Sequence, residues 1–241
     1  MKLWVFDLDG TLITSGIDYA RAVPRWCLMF LDEMEHRAPN YDDFLPKFLD
    51  ALRAVDKERF KTMRAHRERW PGSMVLAYKE ICRQMALEID PVIERRTWEI
   101  GVAALSEETY RNRGMMPGVE ETLTLLQSRG DPIYCITAGD VRVQWMKWRG
   151  YNLRRFFPSN REFRVVKWEK LPTLGRLRRL RPDLRAVMVG DSIGSDLVPA
   201  AKLGYKPVYI PHPSVWDHGE LVNNAPEGTI RLEKITELTS V

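Results

Sequence analysis

Residues 3–6 are a short apolar run of β-formers that stops at Asp7-Leu8-Asp9-Gly10-Thr11, a polar loop bearing a glycine. The pattern predicts a buried strand ending in a turn. From about 15 to 112 the rhythm is helical. Apolar side chains recur three and four apart at Trp26, Phe30, Leu31 and Met34, at Phe44, Phe48, Leu49 and Leu52, and at Val75, Tyr78, Ile81, Cys82 and Met85. Pro39, Pro46, Pro71-Gly72 and Pro91 are expected to interrupt them, and no strand is expected in this stretch. After Met116 the pattern alternates. Helices are expected at about 119–129, stopped by Gly130, and at 141–148, 172–180 and 197–203, with Leu171, Leu174, Leu177 and Leu180 sharing one side of the third. Strands are expected at 133–136, 164–166, 186–189 and 207–210.

Alternating strands and helices predict an α/β fold, a Rossmann-like parallel doubly wound sheet. The long helical stretch then reads as an inserted all-α domain. The expected division is a core of 1–14 and 113–241 with a helical domain of 15–112.

Composition narrows the function classes. Apolar residues make up 44% and charged residues 29% of 241 positions, enough for a packed core. The 37 Lys and Arg against 33 Asp and Glu leave a net charge of +4. That mild excess allows phosphate-bearing partners without calling for nucleic acid. Cys27, Cys82 and Cys135 are widely spaced, with no CxxC, and point to a reducing compartment. No apolar run approaches the roughly 20 residues of a membrane span. The N-terminus carries Asp7 where a signal peptide has its apolar core. A cytoplasmic protein without a membrane partner is expected.

Three expected strand ends carry polar, carboxylate-bearing loops: after Phe6, after Ile136 and after Val189. Ligands of open α/β sheets bind outside the carboxyl ends of the strands, so Asp7, Asp9, Thr137, Asp191 and Asp196 could converge. Crowded carboxylates repel unless a cation is present, and an all-oxygen set suits a hard one such as Mg²⁺. Such a site suits phosphoryl transfer. One carboxylate can be the nucleophile, and a second can protonate the leaving group and activate water.

Asp7-Leu8-Asp9-Gly10-Thr11 resembles the DxDGT first motif of the haloacid dehalogenase superfamily. Ile133-Tyr134-Cys135-Ile136-Thr137-Ala138-Gly139 is similar to its second motif, and Gly190-Asp191-Ser192-Ile193-Gly194-Ser195-Asp196 to its fourth. Lys170 stands where the third-motif lysine is expected, with Lys167 as the other candidate. The helical stretch resembles the cap that one subgroup places between the first two motifs. The run Thr137-Ala138-Gly139-Asp140 with Gln144 and Lys147 is also similar to phosphatase-like members.

The resemblance implies a Mg²⁺-dependent phosphatase acting on a small phosphomonoester. In it Asp7 is the nucleophile and a metal ligand. Asp9 is the general acid and base, with its carbonyl on the metal. Thr137 and the Ala138 N–H hold the phosphoryl oxygens, and Lys170 offsets charge. Asp191 ligates the metal and Asp196 supports it. Gly10 lets the backbone fold tightly there. Members that dehalogenate lack a carboxylate in the Asp9 position. A phosphomutase and a retired binding scaffold stay open as alternatives, as do monomer and homodimer.

Other features read as structure. Arg176, Arg178, Arg179, Arg181 and Arg185 interleave with leucines at helical spacing, which predicts an exposed helix face rather than a nucleic-acid patch. Arg64, His66, Arg67, Arg69 and Trp70 are expected in a turn ahead of Pro71, either contacting substrate or solvated. His212, between Pro211 and Pro213, reads as a loop residue.

Overall fold

The computed structural model describes residues 1–14, 16–34, 44–111, 113–212 and 224–241. Residues 15 and 112, where the expected domains meet, lie outside the described residues, as do Pro39, Pro213 and the side chains of Met34 and Phe44. The chain divides into two compact units, Met1–Gly16 with Arg111–Val241, and Ile17–Tyr110.

The helical unit contains α1 (Ile17–Met34), α2 (Phe44–Met63), α3 (Arg69–Gln84), α4 (Pro91–Ala103) and α5 (Glu107–Tyr110). The three-and-four spacing buries Trp26, Phe30, Phe48, Leu52, Tyr78, Ile81 and Cys82, while Leu31, Leu49, Val75 and Met85 stay half-buried. The Phe30 ring lies 5.8 Å from Phe48 and 5.6 Å from Tyr78. Trp26 donates its indole N–H to Thr97 Oγ1 at 2.9 Å, so this buried ring keeps its hydrogen bond. Asp90 caps α4, accepting from the Val92 N–H at 2.8 Å, with Pro91 in the first helical position.

Pro71-Gly72 does not break the chain as expected. It lies in the first turn of α3, where a missing N–H costs little. Arg69 and Trp70 are therefore helical and buried rather than in a turn. Arg69 pairs with Asp56, and Ser73 Oγ lies 2.8 Å from the other Asp56 oxygen, so this buried charge is matched. Arg64, His66 and Arg67 do form the turn. It is held by Arg59, which donates to the Glu68 and Arg69 carbonyls at 3.3 and 3.4 Å.

Gly101 of α4 is buried, and a Cβ there would stand 2.6 Å from the Pro71 Cα. Gly101→Ala gains about 1 kcal/mol of helix propensity. It forces two backbones apart, at about 1–3 kcal/mol. A net loss of roughly 1 kcal/mol is expected in urea unfolding; a variant more stable than the parent would show that the helices do not meet there.

The second unit is built on one sheet. Its strands are β1 (Lys2–Phe6), β2 (Ile133–Ala138), β3 (Phe163–Val166), β4 (Arg185–Gly190), β5 (Lys206–Tyr209) and β6 (Ile230–Arg231). The order is β3-β2-β1-β4-β5-β6, with every pairing parallel. The connecting helices are α6 (Val119–Ser128), α7 (Val141–Gly150), α8 (Leu171–Leu180) and α9 (Val198–Ala201). This is the expected α/β, Rossmann-like architecture.

Leu3, Val5, Ile136, Ala186 and Met188 form one face of the sheet and pack with Leu174 and Leu177 of α8 and with Leu197 and Ala200. Trp4 and Phe6, the alternate residues of β1, are equally buried on the other face. Of the four leucines expected on one side of α8, Leu174 and Leu177 are buried, whereas Leu171 and Leu180 are 36% and 69% exposed. At about 3.6 residues per turn a repeated spacing of three drifts around the helix, so the end leucines leave the buried face. Arg176, Arg179, Arg181 and Arg185 are exposed as expected, and Arg178 closes the helix by donating to the Arg181, Pro182 and Leu184 carbonyls.

The expected helix at 197–203 is present in shortened form as α9, preceded by a wide turn at Ile193–Leu197. No helix among the described residues is long and apolar enough to cross a membrane.

Candidate functional site

The strand order reverses between β1 and β4, and a crevice opens at such a point beyond the carboxyl ends of the strands. Asp7 follows β1 and Asp191 follows β4, with the Asp7 N–H bonded to the Val189 carbonyl at 2.9 Å. The first loop then turns back on itself. Leu12 and Ile13 donate to the Leu8 carbonyl at 2.9 and 3.0 Å, and Gly10 donates to Ile13 at 2.8 Å. Leu8, Leu12 and Ile13 are fully buried and anchor it. Gly10 has φ +82°, and a Cβ on it would stand 2.0 Å from Asp191 Oδ2. Glycine is required there both for the backbone and for the neighbouring carboxylate.

The loop after β4 is tight for the same reason. A Cβ on Gly190 would stand 2.6 Å from the Asp196 Cβ. Asp196 Oδ2 accepts the Ser192 N–H at 3.1 Å, and the Leu197 N–H reaches back to the Ser192 carbonyl at 3.3 Å, giving the wide turn. One oxygen each of Asp7, Asp191 and Asp196 lies within 4.8 Å of the others.

Lys170, just ahead of α8, is 3% exposed and donates to Asp7 Oδ1 and Asp196 Oδ1, both at 2.5 Å. Lys167 is exposed and lies over the Trp168 ring, so Lys170 is the lysine brought to the carboxylates. Burial opposes its charge, but Asp196 and Asp7 outweigh burial and hold the ammonium well above its ordinary value. Burial lifts the Asp7 carboxyl to about 7, against the pull of Lys170 and with the push of Asp196. Burial and the charges of Asp7 and Asp196 lift Asp191 to about 9. One lysine does not neutralise three crowded carboxylates. The donor set is all oxygen and fits a hard divalent cation.

Asp9 stands apart from that cluster. Lys147 Nζ lies 2.6 and 2.7 Å from its two oxygens, and Gln144 Nε2 donates to Asp9 Oδ2 at 2.9 Å. The same amide nitrogen lies 3.0 Å from Thr137 Oγ1 and 3.1 Å from the Ala138 carbonyl, so it joins the first loop to the second. With its oxygen accepting from Gln144, the Thr137 hydroxyl keeps its own proton to donate.

The sequence offered Gln144 and Lys147 as companions of the second motif but gave them no task. The available signal was their spacing of three on a helix directly after the Thr137 loop, which puts both on one side. Asp140 fixes that helix as its cap, accepting from the Arg142 and Val143 N–H groups at 2.9 and 3.3 Å.

Solved structures share this fold. A haloacid dehalogenase-like family hydrolase from Xanthomonas campestris superposes with a TM-score of 0.63 at 24% identity, over 88% of this chain and 82% of that one. A predicted phosphoglycolate phosphatase from Haemophilus somnus 129pt gives 0.57 at 18%, over 100% and 97%. A 2-haloacid dehalogenase from Pseudomonas syringae pv. Tomato DC3000 gives 0.50 at 16%, over 100% and 97%. No curated protein matches by sequence. Residues 1–204 match the haloacid dehalogenase-like hydrolase model, from the loop of Asp7 through that of Asp196, and the chain belongs to this family of hydrolases.

Proposed function

We propose that this hydrolase cleaves small phosphomonoesters with Mg²⁺, through an aspartyl-phosphate on Asp7 and with Asp9 as general acid and base. The observation that carries the proposal is the Asp9 carboxylate, two positions after Asp7 and held by Lys147 and Gln144. A halide is a weak base and leaves without a proton, whereas an alkoxide needs one. A carboxylate in this place has a task in phosphoester cleavage and none in halide loss. The fold alone does not separate the two chemistries.

In the first step an Asp7 oxygen bonds to phosphorus while the ester P–O bond breaks and the departing oxygen takes a proton from Asp9. Water then bonds to phosphorus and gives its proton to the Asp9 carboxylate. The P–O bond to Asp7 breaks, and both aspartates are restored. The Thr137 hydroxyl and the Ala138 N–H hold the phosphoryl oxygens. Lys170 offsets charge beside Asp7, and Lys147 with Gln144 keeps Asp9 in place. Asp7, Asp191 and the Asp9 carbonyl, with Asp196 in support, would hold Mg²⁺, which would neutralise the phosphoryl charge. The helical unit, inserted in the chain between the first two loops, is the proposed cap that sets substrate choice.

The test is phosphate release by the full chain from p-nitrophenyl phosphate and a panel of phosphometabolites with Mg²⁺. Release from the aryl ester and at least one metabolite is expected; no release across the panel overturns the reading.

The cation also leaves a signature in stability. Asp7 and Asp191 have raised folded values, so the metal-free fold holds protons that the unfolded chain has lost, and its stability falls as pH rises through that range. Mg²⁺ must displace those protons. It is expected to raise Tm, and by more above the Asp7 value of about 7 than below it. Thermal melts with and without Mg²⁺ check this; no shift at any pH contradicts a resident cation.

A further inference from the structure

On the sheet face that carries α8, that helix covers β1, β4 and part of β2, and beyond its flank toward the edge strand β3 lies a cavity of about 450 Å³. Its floor includes Tyr134 and Ile136 of β2 beside Arg164 and Val166 of β3. Ile136 and Arg164 are directly paired, and residues two apart share a face. Its wall is one stripe of α8: Thr173, Arg176, Leu177 and Leu180, at helical spacing. Arg161, just ahead of β3, completes the rim.

Two properties point to a ligand. The first is charge. Arg161, Arg164 and Arg176 line one cavity, and among the described residues none of their guanidinium groups has an acidic or hydrogen-bonding side-chain partner; the Tyr134 and Thr173 hydroxyls have no hydrogen-bond partner either. A single cation on an edge strand serves to block strand pairing. Arg161, Arg164 and Arg176 are exposed, and three such cations around one concavity go beyond that need and give it a positive potential that an anion complements. The second is the lining. Ile136, Val166, Leu177 and Leu180 give apolar walls, with Leu180 69% exposed, so a hydrated inorganic ion leaves them wet. The volume falls within the roughly 300–1,000 Å³ of small-molecule sites.

We infer that this cavity binds a small organic anion, with a carboxylate, phosphate or sulfonate on the arginines and an apolar body against α8 and β2. It is distinct from the carboxylate site, whose lining it does not share. Ile136 precedes Thr137, and Thr173 lies one helical turn from Lys170, so an occupant touches the two elements that carry those residues.

The probe is 1-naphthalenesulfonate, which has no phosphoester to hydrolyse. Binding to the full chain is read from the methyl NMR signals of Val166, Leu177 and Leu180, a readout independent of turnover. Saturable shifts are expected at these methyls. They are expected to weaken at least about tenfold in an Arg164→Gln/Arg176→Gln variant of unchanged Tm, and with neutral 1-naphthalenemethanol. Thr137→Val, which alters the catalytic loop, should leave the affinity as it is. Absence of saturable shifts at these methyls overturns the inference. So does equal affinity in the arginine variant, equal affinity for the neutral analogue, or loss of binding in Thr137→Val.

Discussion

Asp7→Asn is expected to give a folded protein with no measurable phosphate release. The amide is isosteric with the carboxyl but is a poor nucleophile, and the proposed chemistry has no other group to bond to phosphorus. Folding should survive. Lys170 keeps Asp196 as a partner, and the raised value of Asp7 shows that its ionised form is disfavoured where it sits. A neutral side chain there relieves crowding with Asp191 and Asp196. The metal-free Tm is therefore expected to hold or rise, and the Mg²⁺-induced rise in Tm to shrink. Turnover near that of the parent would remove Asp7 from the chemistry, whatever the melt showed.

Asp9→Asn separates the two halves of the reaction. Loss of an acid and base costs about 10²–10⁴-fold. p-Nitrophenolate, a good leaving group, departs from phosphorus without a proton, so the first step survives on that substrate while the second, which needs a base for water, stalls. A burst of p-nitrophenol followed by slow release is expected from stopped-flow absorbance. On an alkyl phosphate both steps suffer and no burst should appear. Asp9 is held by Lys147 and Gln144 at the surface of the site rather than in the core, so the substitution should not unfold the protein. Near-normal steady-state turnover would refute the role.

The carboxylate loops were legible because each is a local pattern: an apolar strand, then a polar turn with glycine where the backbone must pass a neighbouring side chain. Gly10 against Asp191 shows the physical reason for that glycine, although the two are distant in sequence. The parallel sheet followed from alternation, again a local signal.

What needs tertiary register was not legible. Lys167 and Lys170 both precede α8, and only the fold places one of them against Asp7 and Asp196. The Asp9 clamp joins residues 135 and 138 apart, from two elements whose relative position no spacing states. Arg69 read as a turn residue, contacting substrate or solvated, because its match, Asp56, lies a helix away. The stop assigned to Pro71-Gly72 failed because proline is tolerated in a first turn. The short strand β6 lacks the length that makes a strand readable.

The bond between Asp7 and phosphorus is the central claim, and borohydride trapping during turnover tests it most directly. An acyl phosphate is reduced to an alcohol, so a turning-over enzyme quenched with borohydride should yield homoserine at position 7 by peptide mass spectrometry. The modification should be absent without substrate and enriched in Asp9→Asn, where the second step is slow. Phosphate release that continues while position 7 stays aspartate in every peptide, or reduction at another carboxylate, would contradict the account.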